Sequence, residues 1–132
     1  MHKEHEELTD HTESVGRSVV EAALVVHRAL GPGLLETAYK TCLADEIARR
    51  GHRVDRQLSL PIVFRGKQLD SAYRIDLLID RLVVVEIKAI EVLLPLHDAQ
   101  LLTYLRLSGH RLGYLINFNT ALVKQGIRRK IL

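Results

Sequence analysis

The sequence predicts a mixed domain of helices and strands, of the α/β or α+β class, in the order α-α-β-β-β-α-β. Three observations lead to this fold class. Apolar residues first recur at helical spacing in two stretches that glycines separate. A run rich in strand-forming residues follows, and turn signals divide it into strands. Helical spacing then returns for a single helix, and one more apolar strand completes the pattern.

Two helices are predicted at the N-terminal end. The first covers about residues 14–30, with Thr12 or Ser14 as its cap. The Gly-Pro-Gly segment at residues 31–33 ends it, because glycine accepts a left-handed backbone and proline has no N–H for the helical hydrogen bonds. The second helix covers residues 34–50. We therefore expect a single domain over residues 14–132 that follows a polar lead-in, residues 1–13.

Strands are predicted from residue 54 onwards. Arg-Gly-Lys at residues 65–67 is a turn signal, and Pro61 indicates an edge strand or a bulge. Two strong strands, YRIDLLID and RLVVVEIKAI, follow, so we expect three or four consecutive antiparallel strands. Pro95 and Gly109 mark the ends of the third helix. HRLGYLINF is one more predicted strand, and we expect a short final strand in the basic tail.

Composition limits the class of protein. The chain has 132 residues, 47% of them hydrophobic, which is enough for the core of one small domain. It has no apolar run of the roughly 20 residues needed to cross a bilayer, and its first residues are too polar for a secretory signal, so we expect a soluble, cytoplasmic protein without membrane contact. A lone Cys42 excludes an internal disulfide and a multi-cysteine metal site. The net charge of +3 favours nucleic acid as a partner.

The segment LVVVEIKAIEVLLP contains Glu86 and Lys88 within an otherwise apolar strand. Side chains two apart on a strand lie on one face, so these two charges stand together. Asp76 lies on the preceding strand and meets Glu86 only if the register allows it. A two-residue turn would set Asp76 against Val85, so we predict a three-residue loop, or a bulge, at residues 80–82.

Two carboxylates and a lysine at one place suit phosphodiester hydrolysis. Paired acids repel each other, and a divalent cation between them removes this cost, with Mg²⁺ preferring hard oxygen ligands. Such a cation activates water and neutralises charge on a phosphoryl oxygen, while Lys88 orients the water or stabilises the transition state. The alternative is a plain salt bridge between Lys88 and either acid.

The chain resembles the PD-(D/E)XK nuclease superfamily, in particular its RecB-like branch. The resemblance lies in Asp76, in Glu86-x-Lys88 and in Gln100-x-x-x-Tyr104 on the following helix. It implies a restriction-endonuclease-like core, in which a mixed central sheet is flanked by helices. It also implies that Asp76 and Glu86 bind Mg²⁺ (or Mn²⁺), that Lys88 is the catalytic lysine, and that Gln100 and Tyr104 support the site.

Upstream, Gly33-x-x-Glu36-x-x-Tyr39 matches the pattern that names the small GxxExxY protein family within this superfamily. By this resemblance Glu36 is a helical acid facing the same site, although an acid at a helix N-terminus is also favourable without any site. Tyr39 is expected in the core. In some RecB-like nucleases a helical His is a further metal ligand, and His27 is the candidate here; a packed, hydrogen-bonded His27 is the alternative.

The resulting hypothesis is a metal-dependent nuclease acting on DNA, or on RNA. So small a chain leaves little surface for sequence recognition, and 5% aromatic residues provide few stacking platforms, so a homodimer or a partner subunit is expected to supply specificity. Two other functions fit the same residues. One is an inactive nuclease fold used for binding or assembly, and the other is a hydrolase of small phosphate substrates.

Overall fold

The computed structural model describes residues 7–70 and 73–132. Its helices are α1 (Asp10–Leu30), α2 (Glu36–Arg49) and α3 (Pro95–Ser108). The strands are β1 (Val54–Ser59), β2 (Ile62–Phe64), β3 (Lys67–Leu69), β4 (Arg74–Ile79), β5 (Val83–Lys88), β6 (Leu112–Asn117) and β7 (Ile127–Ile131). One turn of 3₁₀ helix, Val123–Gly126, precedes β7. The predicted mixed fold is confirmed, and the basic tail does form the last strand.

The N-terminal helix starts earlier than predicted. Thr9 caps α1, because its hydroxyl accepts a hydrogen bond from the backbone N–H of Thr12 at 3.1 Å. The predicted cap at Thr12 or Ser14, and the predicted helix start at about residue 14, are therefore wrong. The helix gains another turn because Asp10 and Glu13 lie in its first turn, where the helix dipole favours acids.

Five strands form one mixed sheet in the order β1-β4-β5-β6-β7. The β1–β4, β4–β5 and β6–β7 pairs are antiparallel, and β5–β6 is parallel. Between β5 and β6 the chain crosses over through α3, as a parallel pair requires. The sheet is thus a restriction-endonuclease-like mixed sheet flanked by helices.

The strands β2 and β3 do not join this sheet. They pair with each other in a separate two-stranded sheet, so five strands precede α3 instead of the three or four expected, and they do not pair consecutively. Pro61 lacks the N–H that a continuing strand would need, and β1 accordingly ends at Ser59. After this break β1 pairs with β4, which places β1 at the sheet edge as Pro61 indicated.

Two apolar layers enclose the sheet. The helices α1 and α2 cover one face, and α3 covers the other. In β4, Leu77 and Ile79 pack under α1 and α2, while Leu78 packs under α3. Ile75 also belongs to the α3 layer, so the alternation of faces breaks at Asp76. This break allows groups from both layers to approach Asp76.

None of the helices in the described ranges is both long and apolar enough to span a membrane.

Candidate active site

The register of the β4–β5 hairpin determines whether the two acids meet. Ile79 pairs with Val83, so the connection is a three-residue loop, residues 80–82, as predicted. Two of the loop residues have positive φ values, of 51° and 56°, which turn the chain tightly. Continuing this register along the strands places Asp76 opposite Glu86. The predicted loop and the predicted juxtaposition are both confirmed.

The carboxylates of Asp76 and Glu86 each accept a hydrogen bond from a backbone N–H of the opposite strand. The backbone N–H of Asp76 donates to Oε2 of Glu86 at 2.8 Å. The backbone N–H of Ile87 donates to Oδ2 of Asp76, also at 2.8 Å. Both residues are buried, with 7% and 6% of their surface exposed. These crossed hydrogen bonds fix one oxygen of each carboxylate and leave the second oxygen for another ligand.

Negative charge on both acids is unfavourable at this degree of burial. Burial first, and then the charge of Asp76, raise the pKa of Glu86 to about 8. The backbone hydrogen bond and the charges of Lys88 and Lys40 lower the same pKa without cancelling the increase. A positive group between the two acids would therefore be stabilising. Lys88 is half-buried at the end of β5 and lies within electrostatic reach of Glu86.

Lys40 is a site residue that the sequence analysis missed. Its Nζ lies 3.0 Å from Oε2 of Glu36 and 3.0 Å from Oδ1 of Asp76. Burial lowers the pKa of Lys40, but hydrogen bonds to Asp76 and Glu36 outweigh it and raise the pKa overall. Glu36 thus faces the site as predicted, but it is joined to Asp76 through Lys40. The one signal in the sequence is the spacing of Glu36 and Lys40, four apart on a helix.

Tyr39 fixes the start of α2. Its ring is fully buried and stacks on Phe118 with 4.7 Å between the centroids. Its hydroxyl donates to the carbonyl of Gly31 and accepts from the N–H of Leu34 at 3.1 Å. Tyr39 is therefore a core residue, as expected. It ties the turn before α2 to the core, and so it orients the first turn that carries Glu36.

Of the two predicted residues on α3, Tyr104 lies near the carboxylates, and Gln100 lies one turn earlier on the same helix. Both line a cavity of about 270 Å³, together with Tyr73. Burial raises the pKa of Tyr104, and the charges of Glu86 and Asp76 add to this increase. The phenol therefore remains protonated near the carboxylates and can donate a hydrogen bond.

Gln57 is the second residue that sequence reasoning missed. On β1 it stands opposite Asp76, between the pairs Arg56–Leu77 and Leu58–Ile75, but it forms no ladder pair itself. Its φ is +51°, a conformation that costs a non-glycine residue of the order of 1–3 kcal/mol. Gln57 lines a cavity of about 160 Å³ with Lys40 and Asp76. Nothing in the local sequence signals this distortion.

His27 is occupied elsewhere. Its Nε2 lies 2.8 Å from the carbonyl of Thr120, so this nitrogen donates and does not face a cation. The ring is buried beside Phe118. Within the described ranges, no three His, Cys, Asp or Glu side chains are grouped to hold a metal ion. His27 thus does not complete a ligand set with Asp76 and Glu86. It is a packed, hydrogen-bonded residue, which was the alternative interpretation.

A comparison with protein families gives one match. A family model described as the PD-(D/E)XK nuclease superfamily matches residues 13–130, which include all of the site residues above. No curated protein and no solved structure matches the chain. The narrower likeness to the GxxExxY family stays a prediction.

We expect the folding stability to fall as the pH rises from about 5 to 8, because of Glu86. Its pKa is about 8 in the folded protein against an ordinary value of 4.5. Between these values the folded state keeps a proton that the unfolded chain releases, so each pH unit lowers the unfolding free energy by up to about 1.4 kcal/mol. Urea denaturation in EDTA at several pH values measures this dependence.

The Glu86→Gln substitution removes the titrating group. The unfolding free energy of this variant, relative to that of the wild type, should therefore increase steadily over the same pH range. The control is Glu21→Gln, which changes an exposed acid and should follow the wild-type curve. Parallel curves for Glu86→Gln and the wild type would show that the pKa of Glu86 is ordinary.

Proposed function

The chain belongs to the PD-(D/E)XK nuclease superfamily, and on this basis we propose that it hydrolyses phosphodiester bonds in nucleic acid, with DNA as the substrate class and RNA as the alternative. One observation carries the proposal. The crossed hydrogen bonds of Asp76 and Glu86 hold two carboxylates together in a buried place, and each uses only one carboxylate oxygen, so a cation that displaced Lys40 from Asp76 could bind the other two. A purely structural ion pair would not need two acids side by side.

The donor set fits a divalent cation. It consists of hard carboxylate oxygens, which Mg²⁺ and Mn²⁺ prefer, and burial together with the charge of Asp76 raises the pKa of Glu86, so a cation would stabilise the ionised pair. Asp76 and Glu86 would hold the ion. When bound, the ion would supply Lewis-acid chemistry, by which negative charge on a phosphoryl group is stabilised and a nearby water loses its proton more easily.

Lys88 is proposed as the catalytic lysine. It follows Glu86 by two residues on the same strand, so its ammonium can orient water or stabilise charge on the phosphate. The backbone around it is firmly held. Its carbonyl accepts from the N–H of Phe118 at 2.9 Å, and the Asn117 amide binds both backbone groups of Ile90 at 3.0 and 2.9 Å. This bracing keeps Lys88 beside the carboxylates.

Glu36, Gln100 and Tyr104 are proposed as supporting groups. Glu36 reaches Asp76 through Lys40, and the protonated phenol of Tyr104 can donate to a phosphate oxygen or to Glu86. The Gln100 amide lies along the same cavity one turn earlier. These residues position the substrate and the carboxylates, while the reacting atoms lie at Asp76, Glu86 and Lys88.

A hydrolase of small phosphates fits less well. Pockets that enclose a drug-sized small molecule measure roughly 300–1,000 Å³. The cavity at Asp76 measures about 160 Å³. An inactive binding fold is the stronger competitor, because Lys40 already neutralises Asp76 as it would in a structural salt-bridge network.

We expect Asp76→Asn to abolish cleavage and to weaken Mn²⁺ binding, because it removes a ligand. Lys88→Ala should slow cleavage by about 10²–10³-fold, the usual loss for one transition-state contact, with little change in Mn²⁺ affinity. End-labelled DNA and RNA oligonucleotides report cleavage, and calorimetry reports Mn²⁺ binding. Lys124→Ala, an exposed lysine outside the site, is the control. A wild-type protein that binds no Mn²⁺, or a Lys88→Ala variant that cleaves normally, would refute the proposal.

Lys40→Met should make stability depend on metal. Without metal, Lys40 neutralises Asp76, so its removal should lower the unfolding free energy by roughly 1–3 kcal/mol in EDTA. Mg²⁺ should then restore more stability to the variant than it adds to the wild type, because the competing ammonium is gone. Urea denaturation with and without Mg²⁺ measures both effects.

Arg50→Met is a matched control for Lys40→Met. It removes another i,i+4 ion pair of the same helical region, with Glu46 at 3.0 Å, but lies outside the site. Its loss of stability should be the same with and without Mg²⁺. Equal Mg²⁺ responses in Lys40→Met and Arg50→Met would contradict a cation site next to Lys40.

A further inference from the structure

The few aromatic residues of the chain fall into two groups. It has four Tyr, two Phe and no Trp. Three of the six are buried in the layer between the sheet and the helices α1 and α2. The other three, Phe64, Tyr73 and Tyr104, lie outside that layer. Phe64 is 65% exposed and Tyr73 is 49% exposed, which is unusual for such large rings.

A groove lies beside two of these rings, Tyr73 and Tyr104. It lies between the β2–β3 hairpin and α3, and Ile62, Tyr73, Gln100 and Tyr104 line it. At its inner end, Tyr104 is close enough to Asp76 and Glu86 for their charges to raise its pKa. A chain lying in this groove would therefore pass Tyr104, the groove residue that feels the charges of these carboxylates.

The β2–β3 hairpin continues the wall of the groove. Ile62 and Phe64 are two apart on β2, so Phe64 lies on the face that lines the groove. In the hairpin Ile62 pairs with Leu69, and Phe64 pairs with Lys67, so these partners share that face. The face of the hairpin that carries Ile62 thus also presents an exposed aromatic ring with a lysine beside it.

The chemistry of the hairpin favours nucleic acid over an apolar protein surface. Arg65 lies over the Phe64 ring, 5.3 Å from its centroid, and both Arg65 and Lys67 are exposed. Neither cation forms an ion pair with another described residue. An aromatic ring flanked by two unpaired cations offers stacking to a base and charge to its phosphates.

We propose that the β2–β3 hairpin and the adjacent face of α3 bind unpaired nucleotides, whose bases stack along Phe64, Tyr73 and Tyr104 and whose backbone meets Arg65 and Lys67. This inference rests on the proposed function, because it specifies which form of nucleic acid the proposed nuclease would bind. Paired bases are stacked on each other and do not present a free face to these rings. The substrate is therefore single-stranded, or carries an unpaired end or flap.

The first test compares Phe64→Ala with Val63→Ala. These neighbours are 65% and 63% exposed but lie on opposite faces of β2, so Val63→Ala is a matched control. Fluorescence anisotropy in EDTA measures the binding of one labelled oligonucleotide, single-stranded and as a duplex. Phe64→Ala should weaken single-strand binding roughly 5- to 150-fold, the range for one lost base stack, while Val63→Ala binds as the wild type does.

The second test uses the absence of tryptophan from the chain. Phe64→Trp introduces a single emitter, and its fluorescence should be quenched on titration with the single strand, saturating at the concentration found by anisotropy. Val63→Trp should show no such quenching. Unchanged Phe64→Trp emission on saturation, tighter binding of the duplex than of the single strand, or a dimer that Phe64→Ala dissociates would each overturn the inference.

The experiments distinguish a failure of this inference from a failure of the proposed nuclease function. If Asp76→Asn abolishes cleavage but Phe64→Ala binds and cleaves as the wild type does, the inference fails and the nuclease stands. If the wild type cleaves nothing but binds single strands through Phe64, the inference stands and the nuclease fails.

Discussion

Two crossed hydrogen bonds between β4 and β5 hold the site together. The N–H of Asp76 donates to Glu86, and the N–H of Ile87 donates to Asp76, each at 2.8 Å. The carboxylates thereby replace ladder partners at the point where the strands stop pairing with each other. The apolar residues on either side fix the register, and a slip of one residue would send an acid to the wrong face. The hydrophobic strands thus serve to keep two charges in contact.

Burying two acids together is unfavourable unless positive charge accompanies them. The fold brings that charge from two directions, with Lys88 on β5 itself and Lys40 on α2. The proposed cation would bind Glu86 and would displace Lys40 from Oδ1 of Asp76. Because the alternation of β4 breaks at Asp76, groups from both helical layers can reach the pair. Strain at Gln57, opposite Asp76, belongs to the same distortion. The site is costly to build, which is typical of a functional site.

Features that depend on pattern could be predicted from the sequence. The face shared by Glu86 and Lys88, and the loop that brings Asp76 to Glu86, followed from the two-residue period of strands. Features that depend on contacts between distant segments could not. The sequence shows that Lys40 lies four residues after Glu36 on one helix, but the contact of Lys40 with Asp76 forms only when α2 packs on the sheet. The pairing of β1 with β4 beyond an intervening hairpin is likewise a long-range event.

The central claim is that the two anchored carboxylates form a divalent cation site, and a crystal structure with Mn²⁺ tests it most directly. Anomalous scattering identifies manganese without relying on activity. We expect a peak within coordination distance of Oδ1 of Asp76 and the free oxygen of Glu86, with the Lys40 ammonium displaced from Asp76. A saturated crystal with no manganese at these oxygens, and with Lys40 still bridging Glu36 and Asp76, would contradict it.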